Sequence, residues 1–115
     1  MTERDIRIVV IKGSVRPGNY TSMAVALVID ELGKHAGVSV EVLDRGVLDL
    51  SPPGMEEGKP DPKRIREIVK TATGIVLATP EYHGSFSSTM KLVIENLGFP
   101  SVMSGKPVAL LGVAA

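Results

Sequence analysis

Cysteine and tryptophan are both absent from this 115-residue chain. The first absence removes disulfides, thiolate metal sites and cysteine nucleophiles together, and it suits a cytoplasmic protein. The second, with only two Tyr and two Phe, means that any core is aliphatic, built from Val, Ile, Leu, Ala and Met. Charge of one sign is lacking too, since 13 basic side chains balance 13 acidic ones. No bulk field draws such a chain to nucleic acid or to an anionic membrane, although a small local anion site is compatible with neutrality. No stretch approaches the ~18 consecutive apolar residues of a membrane span. The charged opening MTERDIR is unlike a signal peptide. The expectation is a soluble cytoplasmic protein, one domain over residues 1–115, a length that suits one compact unit and not two.

What is present is ordered. Ile6–Ile11, IRIVVI, is a β-branched run of the kind buried on both faces of a sheet. From Ser22 to Ala36 apolar residues recur at helical spacing (Val25, Val28, Ile29, Leu32, Ala36), and Gly37 supplies a stop. Val38–Leu43 is a second strand. Asp44–Pro62, 19 residues rich in Pro, Gly and charge, is long for a connection and points to a functional or interface loop. Asp61 is the expected N-cap of a helix with Pro62 at its first position, running to about Thr71 with Ile65, Ile68, Val69 and Ala72 on one face. Gly74–Thr79 is a third buried strand, with Pro80 ending its ladder. After the loop PEYHGSFSS, Ser87 or Ser88 caps a helix carrying Met90, Val93, Ile94 and Leu97. Lys106–Val113 is the fourth strand.

Strands alternating with helices imply parallel pairing, right-handed crossovers and helices on both faces. The expected fold is an α/β doubly wound sheet of flavodoxin-like order 2-1-3-4. Ligands of such sheets sit at the carboxyl ends of the strands, where strand order reverses. The loops after strands one and three should therefore meet at one crevice.

Both loops have unusual chemistry. IKGSVRPGNYTS ends the first strand and opens a helix, so free N–H groups lie at the positive end of a helix dipole. Gly13 and Gly18 permit close approach of backbone to an anion. Ser14, Asn19 and Thr21 can donate hydrogen bonds, and Arg16 adds a forked positive charge, a set that suits a terminal phosphate monoester. The plainer alternative is a glycine-bearing turn with incidental hydroxyls. The dinucleotide fingerprint G-x-G-x-x-G is absent, and no Gly-Lys pair is followed by Ser or Thr as a Walker A loop needs. In the second loop, Tyr82 and Phe86 offer walls for a flat heteroaromatic ring. His83 is able to hydrogen-bond or titrate near neutral pH, or else simply faces solvent; Glu81 is equally readable as a surface charge.

Together GSVRPGNYTS and ATPEYHGSFSSTMKLVIENL resemble the paired motifs of the NADPH-dependent FMN reductase family, with the match running through the chain in order and spacing. The resemblance implies an oxidoreductase that binds FMN, takes hydride from NADPH or NADH and passes it to a small acceptor such as a flavin, quinone, chromate or azo compound. Carried over by motif, Ser14, Arg16, Asn19, Tyr20 and Thr21 hold the FMN phosphate. Pro80, Glu81, Tyr82, His83, Gly84 and Ser85 line the isoalloxazine and ribityl chain, largely through backbone groups. The chemistry is centred on the flavin, so the resemblance implies no protein nucleophile and no metal. GSFSS departs from the family's usual GSxPG, which affects the entry of the following helix. Family members usually continue with a helix, a fifth strand and a last helix, whereas the present sequence stops as its fourth strand finishes. That leaves an open sheet edge, which invites chain pairing, and a homodimer or homotetramer is the expectation. A flavodoxin-like electron carrier and a non-catalytic remnant or interaction module are the alternative readings; neutral charge and scarce aromatics weigh against the carrier.

Overall fold

In a computed structural model, the structure describes residues 5–16, 18–55 and 57–114. The β-branched run forms β1 (Ile6–Lys12), whose Val9, Val10 and Ile11 are fully buried. A strand covered on both faces has no side on which a polar residue is solvated, which is why the run does not alternate. Flanking β1 in parallel are β2 (Val38–Asp44) and β3 (Gly74–Tyr82), and β5 (Val108–Val113) lies parallel to β3. The parallel order is thus β2-β1-β3-β5, the expected order with β5 as its fourth long strand. The addition is β4 (Ser85–Phe86), two residues that fold back antiparallel on the end of β3.

Pro80 does not end the ladder. Its Cα pairs with Val113, and β3 runs on to Tyr82. The reason lies in the register. Ala78 turns its carbonyl toward β1, where Gly13 N–H donates to it at 2.8 Å. Two residues on, the missing donor of Pro80 faces the same side, beyond the point where β1 has left the sheet, so no hydrogen bond is lost.

Helix α1 (Tyr20–Leu32) begins ahead of the periodic apolar stripe because Asn19 caps it, its Oδ1 accepting from Ser22 N–H at 2.7 Å. It also ends earlier than expected, at Gly33; Gly37, with φ +79°, instead turns the chain into β2. For α2 (Asp61–Lys70) the cap position is Pro60, not Asp61. The Asp61 carboxylate is drawn elsewhere, accepting from Asp49 N–H at 2.8 Å and pairing with Arg64 at 3.3 Å. In α3 (Ser88–Glu95) Ser87 is the cap, and Leu97 stays fully buried beyond the helix end.

The core has two layers, one on each sheet face. Val9, Ile11, Ile75 and Leu77 pack with Ile65, Val69, Met90 and Val93 of α2 and α3; Val10 and Ala78 pack with Val25 of α1. Among the described residues, the buried core side chains are aliphatic or methionine, as the composition requires. Leu92, off the expected stripe, is half-buried against this core. The long connection after β2 opens with a short 3₁₀ turn (Arg45–Val47) and then tucks Leu48 and Leu50 beneath α3, where Asn96 Nδ2 donates to the Ser51 carbonyl at 2.9 Å. Its inward-facing leucines make it a core-forming segment. On the far side β5 has one strand partner among the described residues, and its own Leu110 is 80% exposed.

Candidate functional site

At the carboxyl ends of β1, β3 and β5 lies a cleft of about 720 Å³, and both unusual loops open onto it. One bank carries Ser14, Arg16, Gly18, Asn19, Tyr20, Thr21 and Met23; the other carries Pro80, Glu81 and Tyr82, with Val113 and Ala114 between. Within the first loop, Pro17 is outside the described residues.

The first bank is a set of unspent donors. Helices leave their first N–H groups without intrahelical partners. Ser22 N–H is taken by Asn19, while Tyr20 and Thr21 N–H find no partner among the described residues. Ser14 and Thr21 are only 5% and 2% exposed, yet their hydroxyls make no hydrogen bond to a described residue. Neither hydroxyl oxygen is sealed from solvent, so both open to the cleft, where unpaired hydroxyls at a helix N-terminus suit an acceptor-rich ligand. Arg16 is exposed and, among the described residues, enters no ion pair. Lys12, by contrast, is spent on Asp44 at 3.2 Å.

Two residues in this loop have structural work as well. The Asn19 amide is engaged at both ends, accepting from Ser22 N–H and donating to the Arg16 carbonyl, so its side chain shapes the loop. Asn19→Ala is expected to lower stability by about 0.5–2 kcal/mol through loss of the cap; urea unfolding reads this, and an unmoved midpoint would show that α1 needs no cap there. Gly13 is small for a packing reason, because a Cβ there would lie 2.8 Å from Met90 Cβ. Gly18 does fit the reading of close approach: its φ is +65°, and a Cβ would meet nothing within 4 Å.

The second bank is a hairpin tip. Tyr82 and Ser85 pair across a two-residue turn whose centre, His83 and Gly84, has φ of 52° and 73°. Two positive φ values are what a type I′ turn needs, and His is one of the few non-glycine residues that accept one readily. His83 is therefore a turn residue, solvent-exposed, and lies outside the cleft along with Gly84 and Ser85. The expected aromatic pair is also split. Directly opposed residues share a face, and Phe86 opposes Glu81 while Tyr82 opposes Ser85, so the two rings fall on opposite faces of the hairpin. Tyr82 lines the cleft; Phe86 lines a separate hollow of about 350 Å³ under the hairpin, with Gly84, Ser85 and Met90.

Met23, Val113 and Ala114 went unread in the sequence. Met23 stands one helical turn after Tyr20, and Val113–Ala114 sits at a strand's carboxyl end. The rule that singled out the loops after strands one and three would have found the latter pair.

A model of the NADPH-dependent FMN reductase family matches residues 6–115. The chain belongs to this family. It is 33% identical over 122 aligned residues to the NAD(P)H-dependent FMN reductase of Pseudomonas aeruginosa, covering 96% of this chain and 61% of that protein. It is equally 33% identical, over 112 residues, to the NADPH azoreductase of Bacillus sp. (strain OY1-2), covering 95% and 59%. The fold matches that of an NADH:FMN oxidoreductase in its apo form with a TM-score of 0.78, at 19% identity over 95% of this chain and 58% of the other. The chain spans about three fifths of the length of these curated relatives. FMN, which the family name carries, suits the donor set: unpaired amides, unpaired hydroxyls and a free guanidinium on one bank for a phosphate, and a tyrosine-bearing strand end on the other for a flat ring.

Proposed function

We propose that this protein is an FMN-dependent NAD(P)H oxidoreductase acting on a small acceptor such as a flavin, quinone, chromate or azo compound. The observation that carries the reading is the convergence of the two loops on one cleft whose first bank holds unpaired donors. Ser14, Arg16, Tyr20 and Thr21 bind the phosphate through hydroxyl, guanidinium and helix N-terminal amides, and Asn19 holds their loop in shape. Pro80, Glu81 and Tyr82 orient the ring, on a hairpin closed by His83, Gly84 and Ser85. Bound FMN supplies the two-electron exchange between nicotinamide and acceptor. The chain's own part is to hold that cofactor by its phosphate, leave one side of the cleft open to each substrate in turn, and offer backbone donors near the ring edge.

Purified protein is expected to be yellow, with bands near about 370 and 450 nm, and to bleach on addition of NADPH without acceptor. Yellow protein that resists bleaching by NADPH and NADH alike would make it an electron carrier. Colourless protein that takes up no added FMN would sink the reading.

A homodimer or homotetramer would register in light scattering during gel filtration as a multiple of the 12.2 kDa chain mass. Among the described residues no helix is long and apolar enough to cross a membrane.

A further inference from the structure

We propose that Ser87 and Thr89, at the start of α3, are positioning residues that clasp the Gly13 carbonyl and thereby aim the first cleft bank. The consequence for binding rests on the FMN reading above; the clasp itself does not.

The Gly13 carbonyl accepts from two hydroxyls distant in sequence, Ser87 Oγ at 2.7 Å and Thr89 Oγ1. Gly13 N–H is also fixed, donating to Ala78 O at 2.8 Å. One residue, with no side chain of its own, is thus held by β3 through its donor and by α3 through its acceptor. The absent side chain is part of the fit, since Met90 of α3 leaves no room for a Cβ. The same knot reaches the second bank. Thr79 Oγ1 accepts from Ser87 N–H at 2.9 Å, and Thr79 is the residue just before Pro80. A single cluster of hydroxyls therefore grips the chain one residue ahead of each bank.

Capping alone does not explain these contacts. A cap uses its oxygen as an acceptor, and Ser87 Oγ meets that need by accepting from Met90 N–H at 3.1 Å. Its proton remains free and goes to Gly13. Thr89 lies inside the first turn, where a cap asks nothing of its hydroxyl; its proton goes to Gly13 O, and Ser87 Oγ is 3.0 Å away. Two donors fill both lone pairs of one carbonyl and fix its plane. The Gly13–Ser14 peptide is trans, so the carbonyl and the Ser14 N–H lie in one plane and point opposite ways. Clasping the carbonyl toward α3 sends the Ser14 N–H away from α3. That N–H has no partner among the described residues, and Ser14 lines the cleft. The clasp thus orients an anion-binding amide from a distance.

Thr89→Val keeps the shape and removes the donor; Thr89→Ser restores it. Hydrogen exchange on the FMN-free protein should show the Gly13 amide, which donates to Ala78 O, exchanging about three- to tenfold faster in Thr89→Val, with β2 and α2 amides unchanged, and near wild-type in Thr89→Ser. The FMN dissociation constant, read from quenching of flavin fluorescence, should rise about three- to tenfold in Thr89→Val and recover in Thr89→Ser. Wild-type exchange at Gly13 in the Val variant overturns the clasp, even if its melting temperature falls. A clasp confirmed by exchange beside an unchanged FMN affinity overturns the positioning role. If wild-type protein binds no FMN, the functional reading fails while exchange still decides whether the clasp exists.

Discussion

Arg16→Ala is expected to weaken FMN binding by about 1.5–3 kcal/mol, roughly 10- to 150-fold, while the unfolding midpoint of the FMN-free protein stays where it was. The separation follows from what Arg16 touches. Its side chain is exposed and forms no ion pair among the described residues, so the fold does not depend on its charge. Only its carbonyl is used, by Asn19 Nδ2, and alanine keeps the carbonyl. A guanidinium beside unpaired helix amides gains its partner when a phosphate arrives, and charge-assisted bonds are the stronger class. Arg16→Lys should recover part of the loss, because an ammonium keeps the charge and loses the fork. The titration is followed by fluorescence quenching. Equal affinity in wild-type and Arg16→Ala would remove Arg16 from the site.

Gly13→Ala should destabilise the protein by about 1–3 kcal/mol, the usual range for overpacking. The new Cβ would meet Met90 Cβ at 2.8 Å, Cε at 2.9 Å and Cα at 3.1 Å. The Cε end of a methionine moves easily, but Cβ and Cα belong to the helix itself. Shortening Met90 therefore does not rescue the variant: Gly13→Ala with Met90→Ala should remain less stable than Met90→Ala alone. Urea unfolding reads each step. Full recovery of the double variant to the level of Met90→Ala would show that the clash was with the flexible tip only. Because the displaced helix carries Ser87, Gly13→Ala should also loosen the first cleft bank.

The sheet was legible because its signals are local and redundant. IRIVVI and GIVLAT are apolar throughout, which only burial on both faces explains, and helical periodicity between them forces parallel crossovers. That topology by itself brings the two loops together at one end of the sheet. Other features depended on partners far along the chain. Asp61 looked like a cap and became an acceptor for Asp49 N–H, because the loop brings Asp49 to the start of α2. Pro80 looked like the end of a strand; it remains in the ladder because β1 leaves the sheet two residues earlier. Phe86 looked like a partner for Tyr82, yet hairpin pairing puts the two on opposite faces.

Sequence by itself determined the fold class, the order of the long parallel strands, the aliphatic core and the two loops at the site, since each arises from the nature and spacing of neighbouring residues. Tertiary structure alone decided why residue 13 is glycine, which hydroxyls are spent and which are left for a ligand, and how α3 grips the first loop. Those are contacts between residues more than 70 positions apart, and a pattern with a period of two or four residues carries no information about them.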